Sequence, residues 1–66
     1  MVQIAMAANE ANAVIMRDFL ESNGIHTSYA PNTGRYGHAL SCTVYCIENK
    51  SEEAVKLLKE QGLIVY

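Results

Sequence analysis

Apolar and polar residues alternate along two stretches of the chain, residues 2–7 and residues 40–47. Alternation of this kind indicates a strand with one buried face, because successive side chains of a strand point to opposite sides. We therefore predict two strands, each with a face that packs on the rest of the molecule. The predicted buried positions are Val2, Ile4 and Met6 in the first strand and Leu40, Cys42, Val44 and Cys46 in the second.

Two other stretches have the spacing of a helix, one over residues 10–23 and one that begins at residue 51. Asn9 and Ser51 are suited to cap the two helices, because a short polar side chain can accept a free amide of the first turn. The predicted buried positions are Ala11, Val14, Ile15, Met16, Phe19 and Leu20 in the first helix and Ala54, Val55, Leu57 and Leu58 in the second.

Both helices are predicted to end in the same way. Residues 19–25 and residues 57–63 share a pattern of two apolar residues, three polar residues, a glycine and an apolar residue. Glycine is suited to the position after a helix, which often has a left-handed conformation. We expect each exit to lead into a strand, over residues 25–30 and residues 63–66.

These elements give the order βαββαβ in a single domain of residues 1–66. Right-handed crossovers then predict a ferredoxin-like α+β fold, in which a four-stranded antiparallel sheet of order 4-1-3-2 has both helices on one face. The other face of the sheet is predicted to be open. It would consist of Ala5, Ser28, Ser41, Thr43, Tyr45, Ile47 and Tyr66.

The composition favours association of this small chain. A domain of 66 residues has a small core, and half of its residues are hydrophobic. We therefore expect part of the apolar surface to be covered by a partner, and a homodimer is the simplest form. The proposed dimer face consists of Ser41, Thr43, Tyr45 and Ile47.

The charge and the motifs restrict the classes of function. A net charge of −2 and dispersed basic residues argue against nucleic acid or a membrane surface as the partner. The chain shows no secretory signal pattern and has two cysteines, so we expect a cytoplasmic protein. We find no nucleophile–base pair, phosphate loop or metal-ligand spacing, and we expect a non-enzymatic protein without cofactor or metal.

Residues 31–39 are predicted to form a long loop, because Pro31, Asn32 and Gly34 are typical of turns. Arg35, Tyr36 and His38 form a polar cluster within it. Such a cluster can contact a ligand or a protein partner, since loops on rigid scaffolds often bind. An ordinary solvated hairpin loop is the equal alternative.

The two cysteines are four residues apart on a predicted strand. Four steps of a strand cover roughly 13 Å, which is too far for a disulfide or a shared metal. Cys42 and Cys46 are therefore expected to be small buried hydrophobic residues. A reactive thiol is the alternative, and Cys42 is the better candidate because it lies nearer the loop.

Residues 9–11, 20–25, 53–54 and 57–58 resemble a bacterial family of small domains that is described as prokaryotic signal-transducing proteins. The resemblance covers nearly the whole chain in length and element order. It implies a ferredoxin-like fold, related in shape to the nitrogen-regulatory PII proteins, and a regulatory or binding role. The matched residues are structural, and the resemblance implies no catalytic residue.

A second family of similar length, described as selenium/sulfur carriers, has a Pro, an Arg and a Cys-Gly between its middle strands. Pro31, Arg35 and Cys42 resemble these positions. The chain departs from this pattern at Thr43, where the family has glycine.

We therefore predict a small binding or regulatory module that contacts a protein or a small ligand through the 31–39 loop and the open sheet face. A thiol-based sulfur or selenium carrier that uses Cys42 is one alternative. A small adaptor or inhibitor protein is another.

Overall fold

The computed structural model describes residues 1–33 and 39–64 of the chain. The elements are strand β1 (Val2–Ala7), helix α1 (Glu10–Ser22), strand β2 (Thr27–Thr33), strand β3 (Ala39–Cys46), a short 3-10 helix (Glu48–Lys50) and helix α2 (Ser51–Glu60). The three strands form an antiparallel sheet of order β1-β3-β2, and the two helices pack on one side of it.

The predicted four-stranded sheet is wrong, because the sheet has three strands within the described residues. After α2 the chain turns back, and the backbone N–H of Leu63 donates to the carbonyl oxygen of Leu58 over 2.9 Å. Leu63 and Ile64 are partly buried against the core instead of forming a strand. Residues 65 and 66, the rest of the predicted strand, lie outside the described residues. A short apolar run does not by itself distinguish a strand from another packed segment.

The core lies between the sheet and the helices. Cys42, Val44 and Cys46 of β3 are fully buried there, together with Leu20 of α1 and Leu58 of α2. These positions confirm the predicted buried face of β3 at the three residues. They also place both helices on the side of the sheet that these residues occupy.

Helix α1 buries Met16 and Leu20 as predicted, but its buried face is rotated away from Ala11 and Ile15. Its buried residues are Ala13, Met16 and Leu20, whereas Ala11 is exposed and Ile15 is 52% exposed. Both stripes have helical spacing, and α1 buries the stripe that contacts β2 and β3. Ala13 is fully buried, although the sequence pattern did not predict it.

A β-bulge changes which side chains of β1 face the helices. The register shifts between Gln3 and Ala5, which are paired with Tyr45 and Val44, so Ile4 is an extra residue in the strand. Ala5 and Ala7 are therefore buried, while Met6 is 56% exposed. The predictions that Met6 is buried and that Ala5 belongs to the open face are both wrong.

Three of the four predictions for the helix ends are confirmed, and the predicted cap at Ser51 is wrong. The side chain of Asn9 accepts the N–H of Asn12 over 2.9 Å, which confirms the first cap. Ser51 does not cap α2, because its hydroxyl donates to the carbonyl oxygen of Glu48 in the preceding 3-10 helix. Gly24 and Gly62 have φ of 79° and 71°, so both predicted left-handed exits are confirmed.

Strand β2 extends through a segment that the sequence predicts to be a loop. Pro31, Asn32 and Thr33 pair with β3, so the predicted 31–39 loop is wrong at these residues and at Ala39. Proline is tolerated because β2 lies at an edge of the described sheet, where a strand can do without one backbone donor. Residues 34–38 lie outside the described residues.

Candidate binding surface

The side of the sheet opposite the helices carries side chains from all three described strands. We call this surface the open face. Its β3 residues alternate with the buried residues of the same strand. The residues that pair with them on β1 and β2 complete the surface. The open face consists of Gln3 and Met6 from β1, Ser28, Ala30 and Asn32 from β2, and Ser41, Thr43 and Tyr45 from β3.

Three rows of side chains run across the strands of the open face. The first row is Gln3, Tyr45 and Ser28, as the strand register shows. The second row is Met6, Thr43 and Ala30, and the third is Ser41 and Asn32. The first row holds the largest ring of the face, and the third holds small polar groups.

No residue of the open face is charged. All seven acidic residues and four of the five basic residues lie on α1, the 3-10 helix or α2, and the fifth, Arg35, is outside the described residues. The charged side chains of the described chain are thus confined to the helical side of the molecule. An uncharged sheet face is less costly to remove from water than the helical surface.

A hydrogen-bonded group of three polar residues occupies one end of the open face. The amide nitrogen Nδ2 of Asn32 donates to Oγ1 of Thr43 over 2.8 Å and to Oγ of Ser41 over 3.1 Å. These two bonds fix the three side chains relative to one another across β2 and β3, and only 4% of Thr43 is exposed. The face is therefore ordered by its own contacts at this end.

The other end of the open face is bulkier. Tyr45 is half-buried there, and Met1 lies beside Ser28, with 3.3 Å between its Sδ and the Ser28 Oγ. Met1 and Met6 are 59% and 56% exposed, which makes them the two most exposed large apolar residues of the described chain. Apolar side chains so exposed on a small domain are typical of a contact surface.

The predicted dimer face is largely brought together. Ser41, Thr43 and Tyr45 lie on the open face, whereas Ile47 follows the end of β3 and is 42% exposed. Met6 and Asn32 belong to the face but were missed by the prediction. The bulge in β1 and the extension of β2 place them there, and the sequence pattern gives no clear signal of either.

Three predicted binding residues, Arg35, Tyr36 and His38, lie outside the described residues. The same is true of Tyr66, which the sequence placed on the open face.

Cys42 and Cys46 are free thiols with no exposed surface. The Cys46 thiol donates to the carbonyl oxygen of Ile47 over 3.3 Å, and burial raises its pKa above the ordinary value. A thiol must be accessible and ionised to react readily. The placement of Cys42 in the core therefore disfavours its use as a reactive thiol in this conformation.

A polar groove between α1 and β2 was not predicted. The guanidinium of Arg17 lies 5.3 Å from the ring centre of Tyr29, and the Tyr29 hydroxyl donates to Oε1 of Glu10 over 3.2 Å. Partial burial and then this hydrogen bond raise the pKa of Tyr29 above 10.0. Arg17 is also paired with Asp18 over 3.2 Å. These groups satisfy one another and stabilise the position of α1 on the sheet edge.

An apolar depression of ≈ 550 Å³ lies between β1 and α2. Val2, Ile4 and Val55 line it together with the charged residues Glu52 and Lys56. Charged residues therefore border this depression, unlike the open face.

The described residues include no group of three His, Cys, Asp or Glu side chains placed to hold a metal ion. Among these residues no helix has the length and apolar character needed to cross a membrane. Comparisons of the chain with protein-family models, curated proteins and solved structures give no match.

Proposed function

We propose that the chain is a small non-enzymatic binding module and that its open face is the surface that meets a protein partner. The observation that carries this proposal is the segregation of charge. Every charged side chain of the described chain lies on the helical side, and none lies on the open face.

The composition of the open face supports a protein partner. The centres of protein interfaces are poor in charged residues and rich in tyrosine and methionine. Tyr45 and Met6 are such residues, and the polar groups around them are neutral. A phosphate-bearing or strongly charged ligand would instead need basic or acidic side chains, which the open face does not offer.

The small size of the chain supports the same proposal. A domain of 66 residues has a limited core, and a partner that covers apolar surface adds to its stability by binding the folded form alone. A regulatory role of the kind that the family resemblance implies requires only such binding. A reducing cytoplasm fits the two free thiols of the core.

The proposal is tested by a photoreactive residue on the open face. Ala30 is exposed on the open face and Ala11 is exposed on α1, so the two form a matched pair. We replace each in turn by p-benzoylphenylalanine and irradiate cells that express the variant. The expected result is a protein adduct from position 30 and none from position 11. A lack of adducts from position 30, or equal yields from both positions, would overturn the proposal.

A further inference from the structure

We propose that the partner of the open face is a second copy of this chain, placed face to face about a two-fold axis that runs across the strands along the row Met6, Thr43 and Ala30. This inference rests on the proposed function and names its partner. It follows from the distribution of large and small side chains over the open face.

The two ends of the open face differ in size along the strands. The row with Tyr45 also has Met1 beside it, whereas the opposite row, among the described side chains, holds Ser41 and Asn32. A two-fold axis across the strands reverses the strand direction in the second copy. Each Tyr45 ring then lies over Ser41 of the other copy, so a large side chain meets a small one at both ends.

A two-fold axis along the strands gives a poorer fit. It would place Tyr45 against Tyr45 of the second copy and the small residues against each other. The sheets would then be held apart at one end and leave a gap at the other, and such a gap forfeits packing contacts. The axis across the strands avoids this, and it is close to the aligned arrangement in which two sheets usually pack.

Hydrogen-bonding groups favour the same arrangement. Tyr45 is half-buried, and its hydroxyl makes no hydrogen bond to another described residue. The bonds of the Asn32 side chain within the described residues both use its amide nitrogen, so its carbonyl oxygen can accept a further hydrogen bond. In the proposed dimer the Tyr45 hydroxyl of one copy comes close to the Asn32–Ser41 end of the other. A buried tyrosine usually finds such a partner.

The absence of charge matters for a symmetric contact. In a two-fold interface each residue on the axis faces its own copy, so a charged residue there would face the same charge. The central row holds Met6, Thr43 and Ala30, none of which is charged. The open face can therefore meet itself without repulsion.

The size of the open face sets the expected affinity. The three described strands have 6, 7 and 8 residues, and with about 3.3 Å per residue and about 4.8 Å between strands they span roughly 330 Å². A stable interface covers about 800 Å² on each partner. We therefore expect a weak dimer, and the measurement must reach a concentration of about 1 mM.

A charge-swap experiment tests both the partner and the axis. We measure sedimentation equilibrium of the purified wild-type chain, of Ala30→Lys and Ala30→Glu, and of their equimolar mixture. The matched controls are Ala11→Lys and Ala11→Glu on α1. We expect the wild type and both controls to dimerise. Each Ala30 variant alone should dimerise at least about tenfold more weakly, because like charges meet on the axis. The mixture should recover a dimer of one Lys chain and one Glu chain.

Two results would overturn the inference. If the wild-type chain is a monomer at about 1 mM, the partner is not a second copy. If the chain dimerises but the mixture does not recover the dimer, the axis does not pass through Ala30. The photoreactive variant separates this failure from that of the proposed function, since an adduct at position 30 with a different protein would leave the binding module intact.

Discussion

The backbone N–H of Ile25 donates to the carbonyl oxygen of Leu20 over 3.0 Å, and the same bond joins Leu63 to Leu58 over 2.9 Å. Gly24 and Gly62 donate to carbonyl oxygens one residue further along their helices, both over 3.0 Å. Each helix thus ends in a Schellman motif, in which an apolar residue after the glycine packs back towards the last turn.

Replacement of either glycine by alanine should destabilise the chain by a similar amount. Both have positive φ, and a Cβ at either position would meet no atom within 4 Å. The cost is therefore conformational, about 1 kcal/mol for each, since a β-carbon disfavours the left-handed region. Urea unfolding measures it. Gly24→Asn and Gly62→Asn are the controls and should cost less, because asparagine tolerates this conformation. A free energy of unfolding unchanged in the alanine variants would contradict the prediction.

Removal of the α1 cap should cost more than removal of the Ser51 hydroxyl. Asn9→Ala leaves the N–H of Asn12 without its acceptor, and the free energy of unfolding should fall by about 1 kcal/mol. Asn9→Asp keeps an acceptor and should retain the stability. Ser51→Ala loses only an exposed bond to the Glu48 carbonyl oxygen, so its effect should be less than half as large. Equal losses of unfolding free energy for Asn9→Ala and Ser51→Ala would contradict the prediction, because the Asn9 cap would then stabilise the chain no more than the exposed Ser51 bond.

Both thiols should resist alkylation while the chain is folded. Cys42 and Cys46 have no exposed surface, and burial raises the pKa of Cys46. Iodoacetamide at pH 8 should therefore label neither residue in the native protein within the time that labels both fully in urea. Mass spectrometry counts the labels. Rapid labelling of Cys42 in the native chain would revive the carrier alternative, because it would show an accessible, reactive thiol.

Glu10→Gln should lower the pKa of Tyr29 towards its ordinary value. The substitution removes the charged acceptor of the hydroxyl, while partial burial, the largest cause of the raised pKa, is retained. A pH titration followed by NMR of labelled tyrosine measures the value. Glu53→Gln removes the same charge from α2, where Glu53 pairs with Lys50, and should leave the Tyr29 pKa unchanged.

The raised pKa of Tyr29 also predicts how the free energy of unfolding changes with pH. A group with a higher pKa in the folded state binds its proton more tightly there, so its contribution is present below pH 10.0 and is lost as pH rises through the folded pKa. The free energy of unfolding should fall less over this range in Glu10→Gln than in the wild type. An equal fall in the two proteins would show that the Tyr29–Glu10 bond does not contribute to the pH dependence of stability.

The parts of the fold that sequence predicts correctly are those that neighbouring residues determine. Asn9, Gly24 and Gly62 act within one helical turn of their own position, and all three predictions are confirmed. The buried side of β3 was also predictable, because Cys42, Val44 and Cys46 alternate without interruption.

The errors lie where a distant element decides the outcome. The predicted burial in β1 is correct at Ile4 and partly correct at Val2, but pairing with β3 makes Ile4 an extra residue and reverses the faces beyond it. Pro31 looks like a turn residue until its position on an edge strand is known. The apolar residues after Gly62 look like a strand, yet Leu63 and Ile64 pack on the core.

The candidate surface was predicted in part for the same reason. Ser41, Thr43 and Tyr45 follow from the alternation of β3 alone. Met6 and Asn32 join them only through the bulge in β1 and the length of β2, which pairing between strands determines. The lack of charge on the open face becomes visible only when the three strands are placed side by side.

The position of Pro31 limits how this protein can aggregate. A fibril grows when each added chain offers a new strand edge to the next, so both edges of a sheet must accept a neighbour. Pro31 of β2 has no backbone N–H, and an edge strand accepts proline where its nitrogen faces away from the sheet. Chains that met through their β1 edges would form a pair with a proline at each outer rim, and growth would stop there. We therefore expect Pro31 to disfavour fibril growth through the β2 edge of the described sheet.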